Sequence, residues 1–413
     1  MFLPALGPFF APILAALSSP AVPADPPPAP PAPDGRPHVL FAFVGDVRES
    51  SRALRQLRAL REAGLTVEVL TFGPPAGDRL AEGLPLDGRL RARVLPTPGG
   101  SGPRFFWQAH RRIGRAAHAT PAALYLASDL FALPALDRAA ARHDGRLVFD
   151  SRELYAHLDS TAGRPWARLF WSTVERRHIR RADAVLTVNQ SIAERLAATY
   201  GIAPPVVLHN VPPRQEVPRT DLLRERLGIA PETRILLYQG ALQRGRGVPL
   251  LVEAARALPE AALVVIGEGV MGPSLRAQAR DLPHVHFLGF VPPGELLAHT
   301  ASADLGVHLL EPTCLNHRLA LPNKLFEYLT AGLPVVASDL PEIRRVVAGF
   351  DVGLVVDPED AGALVAALRQ ALYDDALRAR WRASIPRVFE HYRWEHDRER
   401  FLDTIRRLLD RPA

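Results

Sequence analysis

Lys324 and Glu327 stand three residues apart in the segment LPNKLFEYL, and Lys324 is the only lysine in a chain with 50 Lys plus Arg. Pro322 precedes a helical pattern here, so the backbone N–H groups of the first turn and the helix dipole favour an anion beside Lys324. Glu327 falls on the same helical face one turn on. A cation at the helix mouth and a carboxylate behind it can grip a sugar nucleotide, the ammonium on the diphosphate and the carboxylate on two ribose hydroxyls. As a surface pair the two would contribute only about 0.2–0.5 kcal/mol. AGLPVVASD follows at once, which makes this helix a buried crossover and favours the binding role.

Two further stretches offer phosphate contacts. In LLYQGALQRGRGVPLL a strand ends at Gly240, and Arg244 and Arg246 stand on a glycine-rich turn that leads into the next helix. In LVVIGEGVMG, Gly267, Gly269 and Gly272 give G-x-G-x-x-G directly after a strand. The next strand, VHFLGF, ends without the acidic residue that a dinucleotide ribose needs, and Glu295 falls in a later helix. The turn therefore faces a nucleotide without making an NAD site. In the first half, Gly45, Asp46 and Arg48 follow one strand, Ser128 and Asp129 a second, and Asp150, Arg152, Glu153 and His157 a third. Singly such residues are commonly solvated or helix caps; together they form a polar cluster at one sheet edge. D-x-D, C-x-x-C, H-E-x-x-H and G-x-S-x-G are absent, so neither a metal-anchored diphosphate nor a serine hydrolase has sequence support.

The elements that must position these residues alternate. HVLFAFVG, LTVEVLTFG, AALYLAS, RLVFDS, AVLTVN and PVVLHN read as buried strands separated by helical patterns, which means right-handed crossovers and a parallel sheet. VPPRQEVPR interrupts this rhythm, and it resumes from RILLYQG to GLVVD. The expected fold is α/β, with two doubly wound Rossmann-like domains facing a central cleft where the carboxyl ends of the strands bind ligand. The expected divisions are 1–36, an apolar and proline-rich leader; 37–212, an N-terminal Rossmann-like domain; 213–390, a C-terminal Rossmann-like domain; and 391–413, a terminal helix packing back on the first domain. The leader has prolines at 4, 8 and 12 and no basic n-region, and it reads as a disordered or weakly membrane-associating segment, or as sequence upstream of a misplaced start.

Charge is uneven. Residues 36–215 hold 26 Arg against 16 acids, and residues 216–413 hold 24 Lys plus Arg against 26 acids. An anionic membrane surface or acceptor fits the basic half, as does a plain solvated arginine face, and no nucleic-acid motif is present. Cys314 is the single cysteine, so no intramolecular disulfide forms, and a reducing compartment is the simpler assumption.

From LLYQGALQRGRG through VVIGEG, VHFLGFVP, ADLGVHLLEPT and LPNKLFEYLTAGLPVVASDLPEI, the chain resembles a family 4 glycosyltransferase of the GT-B fold, over about residues 38–405. The resemblance implies a retaining, metal-independent hexosyltransferase without cofactor. It would bind a UDP- or GDP-linked sugar on the C-terminal domain and a glycan or lipid-linked envelope acceptor on the N-terminal domain. It implies a cytoplasmic enzyme, peripheral at the inner membrane face. By position, Glu327 matches the second glutamate of E-x7-E, and Arg246 takes the place of the lysine of G-R-L-x-x-x-K-G. Arg246, Lys324 and Glu327 are then the catalytic set, with Gly240, Arg244, Gly267, Gly269, Phe290, Pro322 and Asn323 around the donor. Gly45, Asp46, Arg48, Asp129, Arg152 and Glu153 are on the acceptor side. Leu319 stands in place of the first glutamate, Ala241 in place of the arginine of G-R-L, and Ser128 and Arg152 in place of family histidines. A catalytically silent GT-B module that binds a sugar nucleotide or a partner, and a nucleotide-sugar epimerase, stay open as alternatives.

Overall fold

The computed structural model describes residues 38–410 apart from 76, 101, 213 and 214; the expected leader at 1–36 lies outside the described residues. The chain forms two compact units. One takes the described residues as far as Leu208 together with those from Glu395 onward, and the other runs His209–Trp394.

The first unit carries β1 (His38–Ala42), β2 (Thr66–Phe72), β3 (Arg79–Ala81), β4 (Leu84–Pro85), β5 (Leu90–Leu95), β6 (Leu124–Ala127), β7 (Arg146–Ser151), β8 (Ala184–Thr187) and β9 (Val206–Val207). Apart from the small antiparallel pair β3 and β4, they form one parallel sheet in the order β5-β2-β1-β6-β7-β8-β9. Every residue of β2 is buried, as expected of a strand covered on both faces. Even Glu68 lies inside, 2.6 Å from the Arg93 guanidinium; burial raises its carboxyl pKa against the pull of Arg93.

The second unit carries β10 (Arg234–Gln239), β11 (Ala261–Ile266), β12 (Val285–Gly289), β13 (Leu305–His308), β14 (Val335–Ser338) and β15 (Gly353–Val356), in the parallel order β12-β11-β10-β13-β14-β15. Its core follows the period of two along each strand. Ile235, Leu237, Val264 and Val335 pack into one apolar cluster, with helix Asn323–Thr330 supplying Leu325, Phe326, Tyr328 and Leu329. Leu236, Tyr238, Val265 and Val336 enter the cluster on the other face, which Trp381 completes.

In both units the order reverses beside the first strand, between β1 and β6 and between β10 and β13. At such a switch point the loops leaving neighbouring strands run to opposite faces of the sheet and open a crevice at the carboxyl ends.

Candidate functional site

In the second unit, the loop after β10, the glycine turn after β11, the end of β13 and helix Asn323–Thr330 meet at that crevice. Pro322 is the helix N-cap and Asn323 its first residue, so Lys324 lies in the opening turn. The lysine stem passes over the backbone of Gly240. A Cβ placed on Gly240 would stand 1.7 Å from Nζ and 2.1 Å from Cε, and the residue holds φ +132°, a conformation that side-chain-bearing residues rarely adopt. Nζ lies 5.3 Å from the centre of the Tyr238 ring. Among the described residues no hydrogen bond or ion pair engages it. Burial, and then the nearby Arg246, pull its pKa down to about 8, with Glu327 opposing.

Arg246 sits half-buried on the turn after β10, and Arg244 beside it is exposed. Glu311, following β13, grips this turn from both sides. Its Oε1 accepts from the Gly247 N–H at 3.0 Å, and its own N–H donates to the Gly245 carbonyl at 3.0 Å. His308, at the end of β13, is 2 % exposed, and among the described residues neither ring nitrogen has a hydrogen-bond partner. Burial first, then Lys324 and Arg246, hold its pKa well below the usual histidine range, so the ring is neutral.

Glu327 is aimed by a relay. Gln239 Nε2 donates to its Oε2 at 2.7 Å, and Thr300 Oγ1 donates to Gln239 Oε1 at 2.7 Å. The Gln239 backbone N–H donates to the Tyr328 hydroxyl at 2.9 Å, tying the end of β10 to the helix that carries Glu327. Burial raises the Glu327 pKa, while the Gln239 hydrogen bond and Lys324 draw it down.

Gly267 and Gly269 are explained first by packing of one loop on another. A Cβ on Gly267 would meet the Gly240 carbonyl oxygen at 2.1 Å, and one on Gly269 the Leu242 carbonyl oxygen at 2.4 Å. The glycine turn therefore fixes the loop bearing Arg246, whatever else it faces. Phe290 is 67 % exposed.

The arrangement places at a helix mouth two cations that make no hydrogen bond or ion pair among the described residues, with a hydrogen-bond-accepting carboxylate on the same helix, a combination able to hold an anion. Among the described residues no group of three or more His, Cys, Asp or Glu side chains is spaced to hold a metal ion. Residues 219–387 match the model for "Glycosyl transferases group 1", and residues 50–214 match that for "Glycosyl transferase 4-like domain". The chain belongs to the family 4 glycosyltransferases. Similar curated proteins include the phosphatidyl-myo-inositol mannosyltransferase of Mycolicibacterium smegmatis, 34% identical over 175 residues, which covers 40% of this chain and 43% of that protein. The D-inositol 3-phosphate glycosyltransferase of Xylanimonas cellulosilytica is 28% identical over 249 residues, or 54% of this chain and 56% of that one. The chain thus spans about half the length of the curated relatives it matches. Among solved structures, sucrose-phosphate synthase from Thermosynechococcus elongatus superposes with a TM-score of 0.74 at 20% identity, covering 90% of this chain and 99% of that one. Anabaena HepE in complex with UDP-glucose gives 0.70 at 17% identity, over 90% and 100%. These likenesses show the GT-B fold.

In the first unit, three expected loops come together at the end of β1. Asp129 Oδ2 accepts from the Val44 N–H and Oδ1 from the Ala132 N–H, both at 2.8 Å, so this buried carboxylate knits two loops. Burial raises its pKa against the pull of Arg152. The Arg152 guanidinium lies 4.9 Å from the Phe43 ring centre. Burial lowers the Arg152 pKa, but Tyr155, Asp129 and Asp150 more than offset that and leave it raised. Asp46 and Arg48 spend their charges on each other at 2.6 Å, holding the Asp46 carboxyl below its ordinary range, and the Gly45 carbonyl accepts from Thr71 Oγ1 at 2.8 Å. Glu153 is exposed.

Glu311, Gln239, Thr300 and His308 carry no local motif that marks them as site residues. A residue that ends a strand at the switch point was the available signal for Gln239 and His308; Glu311 and Thr300 act across long separations that local spacing does not reveal.

Proposed function

We propose that this glycosyltransferase moves a hexosyl group from a nucleotide sugar, held by the second unit, to an acceptor hydroxyl presented by the first. The observation that carries the reading is the pair Lys324 and Arg246, two cations that make no hydrogen bond or ion pair among the described residues, beside a helix N-terminus. In transfer, the bond from the anomeric carbon to the diphosphate oxygen breaks and its electron pair leaves with the nucleoside diphosphate. The acceptor oxygen bonds to the anomeric carbon and releases its proton. Negative charge grows most on the leaving diphosphate, so preorganised cations there act selectively on the transition state. Glu327, oriented by Gln239, would accept from the ribose hydroxyls.

Retention of configuration, independence of metal and a lipid-linked or envelope-glycan acceptor complete the proposal. The relatives named as mannosyltransferase of phosphatidyl-myo-inositol and glycosyltransferase of inositol phosphate support an acceptor with a polar head, and HepE with UDP-glucose supports a nucleotide-sugar donor. No helix among the described residues is long and apolar enough to cross a membrane, so membrane contact is proposed as peripheral.

The test is release of nucleoside diphosphate from a panel of UDP- and GDP-sugars with a detergent extract of envelope lipids as acceptor source. Acceptor-dependent release with one donor is expected. Donor binding with no release from any sugar would instead favour a silent module, and conversion of the sugar without acceptor would favour an epimerase.

A further inference from the structure

The first unit holds an apolar cavity of about 210 Å3 formed by helices Gly102–His118 and Pro165–Ile179 and the segment after β6. Phe106, Trp107, Phe131, Trp166, Phe170 and Trp171 line it. Their rings interlock: Phe106 stacks on Phe131 at 4.5 Å between centroids, and the Trp171 ring stands edge-on to Phe106 at 5.2 Å and to Phe131 at 5.1 Å. An aromatic cavity this size has room for several water molecules yet few groups to bind them, so an apolar occupant is favoured over water. His110 also lines it, and burial, with Arg138 and His178, depresses its pKa to about 3, so it adds no charge.

The two helices beside the cavity are basic, although an exposed carboxylate, Asp159, precedes the lining residues Ser160 and Thr161. Helix Gly102–His118 contains no acidic residue, and the only one on Pro165–Ile179, Glu175, is buried and accepts from the Tyr200 hydroxyl at 2.6 Å. Arg164 stands at the lining, Arg111 holds its guanidinium 4.7 Å from the Trp107 ring, and Arg104 and Arg168 are exposed on the same helices. Trp166 and Leu169 are 49 % and 48 % exposed beside them. Exposed Trp and Leu among arginines is the pattern of a surface that meets an anionic lipid interface.

We propose that this cavity takes one hydrocarbon chain of an anionic lipid, the tail of the acceptor. That the chain belongs to the acceptor rests on the function proposed above; binding of the chain does not.

Of five tryptophans in the sequence, Trp107, Trp166 and Trp171 line the cavity, so a brominated chain should quench the protein's own fluorescence. The full chain is titrated with 9,10-dibromostearate below its micelle concentration, and nucleoside diphosphate binding is measured on the same samples. The expected result is saturable quenching of roughly half the emission. Ala167→Leu, which narrows the cavity, abolishes it, and Arg164→Glu, at an exposed position, weakens affinity about five- to tenfold with folded circular dichroism retained. Absence of saturable quenching, or quenching unchanged in both variants, overturns the proposal. If nucleotide binding persists in that case, the cavity assignment fails alone; quenching without nucleotide binding upholds the cavity and removes the donor reading instead.

Discussion

A methyl group on Gly240 would sit 1.7 Å from the Nζ of Lys324. The floor of the anion site is therefore bare backbone, and the ammonium reaches its place by lying across it. Gly240→Ala should displace Lys324, with loss of nucleoside diphosphate affinity of about tenfold or more, or roughly 1.4 kcal/mol. In a double-mutant cycle with Lys324→Ala the two losses should not add, because the second change removes what the first has already moved. Additive losses by calorimetry would mean that the glycine acts on something other than the lysine. The same crowding explains a lysine here: a planar guanidinium is wider than an ammonium and would not fit over that backbone.

Lys324→Ala and Arg246→Ala should each lower sugar transfer by 10²-fold or more, about 3 kcal/mol of transition-state stabilisation. Turnover measured at saturating donor is the check, since a purely structural role would appear in the melting temperature and leave turnover near normal.

Binding of a nucleoside diphosphate should weaken as pH rises through about 8. The ammonium is the form that attracts the anion, and burial and Arg246 have brought its folded pKa down to about 8. Below that value Lys324 is charged and affinity is level; above it the charge is lost until only Arg246 remains. The bound diphosphate raises the lysine pKa again, so binding near pH 8.5 takes up protons. His308, held well below the usual histidine range, adds no slope. Calorimetry in two buffers of unlike ionisation enthalpy reads the uptake, and Lys324→Met should flatten the profile.

Glu327→Gln separates recognition of the sugar from recognition of phosphate. It should weaken nucleoside diphosphate binding by about tenfold while leaving inorganic pyrophosphate nearly unaffected. Equal losses for both ligands would place the carboxylate beside the phosphates and not beside ribose.

Arg52 donates to both oxygens of Asp150, at 2.8 and 2.7 Å, and Gln56 adds a third bond at 2.8 Å, all fully inside the first unit. Asp150→Ala leaves the buried guanidinium without its counter-ion, with only backbone carbonyls such as that of Leu208 at 2.6 Å to accept from it, and should cost about 3 to 5 kcal/mol. The melting temperature of the first unit should fall by roughly ten degrees, whereas nucleotide binding by the second unit is the control.

The strands were legible because parallel strands covered on both faces are continuous apolar runs, as in VLFA, ILLY and LVVI. Helix Asn323–Thr330 was legible from Pro322 and from apolar residues at 325, 326 and 329. Helix Gly102–His118 was not read, since its arginines, histidines and aromatics hide a buried stripe of Ala109, Ile113 and Ala116. β5 was missed for a related reason, arginines at 91 and 93 in an edge strand. Within the site, Lys324, Arg246 and Glu327 were marked by local spacing. Partners set by topology were not: Thr300 reaches Gln239 across 61 residues, Glu311 reaches Gly247 across 64, and Arg52 reaches Asp150 across 98. The glycine turn was read as a nucleotide contact, while its tightest constraint is the carbonyl of Gly240.

A lysine whose proton is this loosely held is also a nucleophile. At pH 7.5 a pKa of about 8 leaves roughly a quarter of its amines uncharged, where an ordinary solvent-facing lysine keeps about one in a thousand. With no other ε-amine in the chain to compete, mild acylating reagents should write their mass onto position 324, and a bound nucleotide should shield it. The same depressed pKa exposes the protein to reactive acyl phosphates and thioesters, which would silence the site by neutralising its single ammonium.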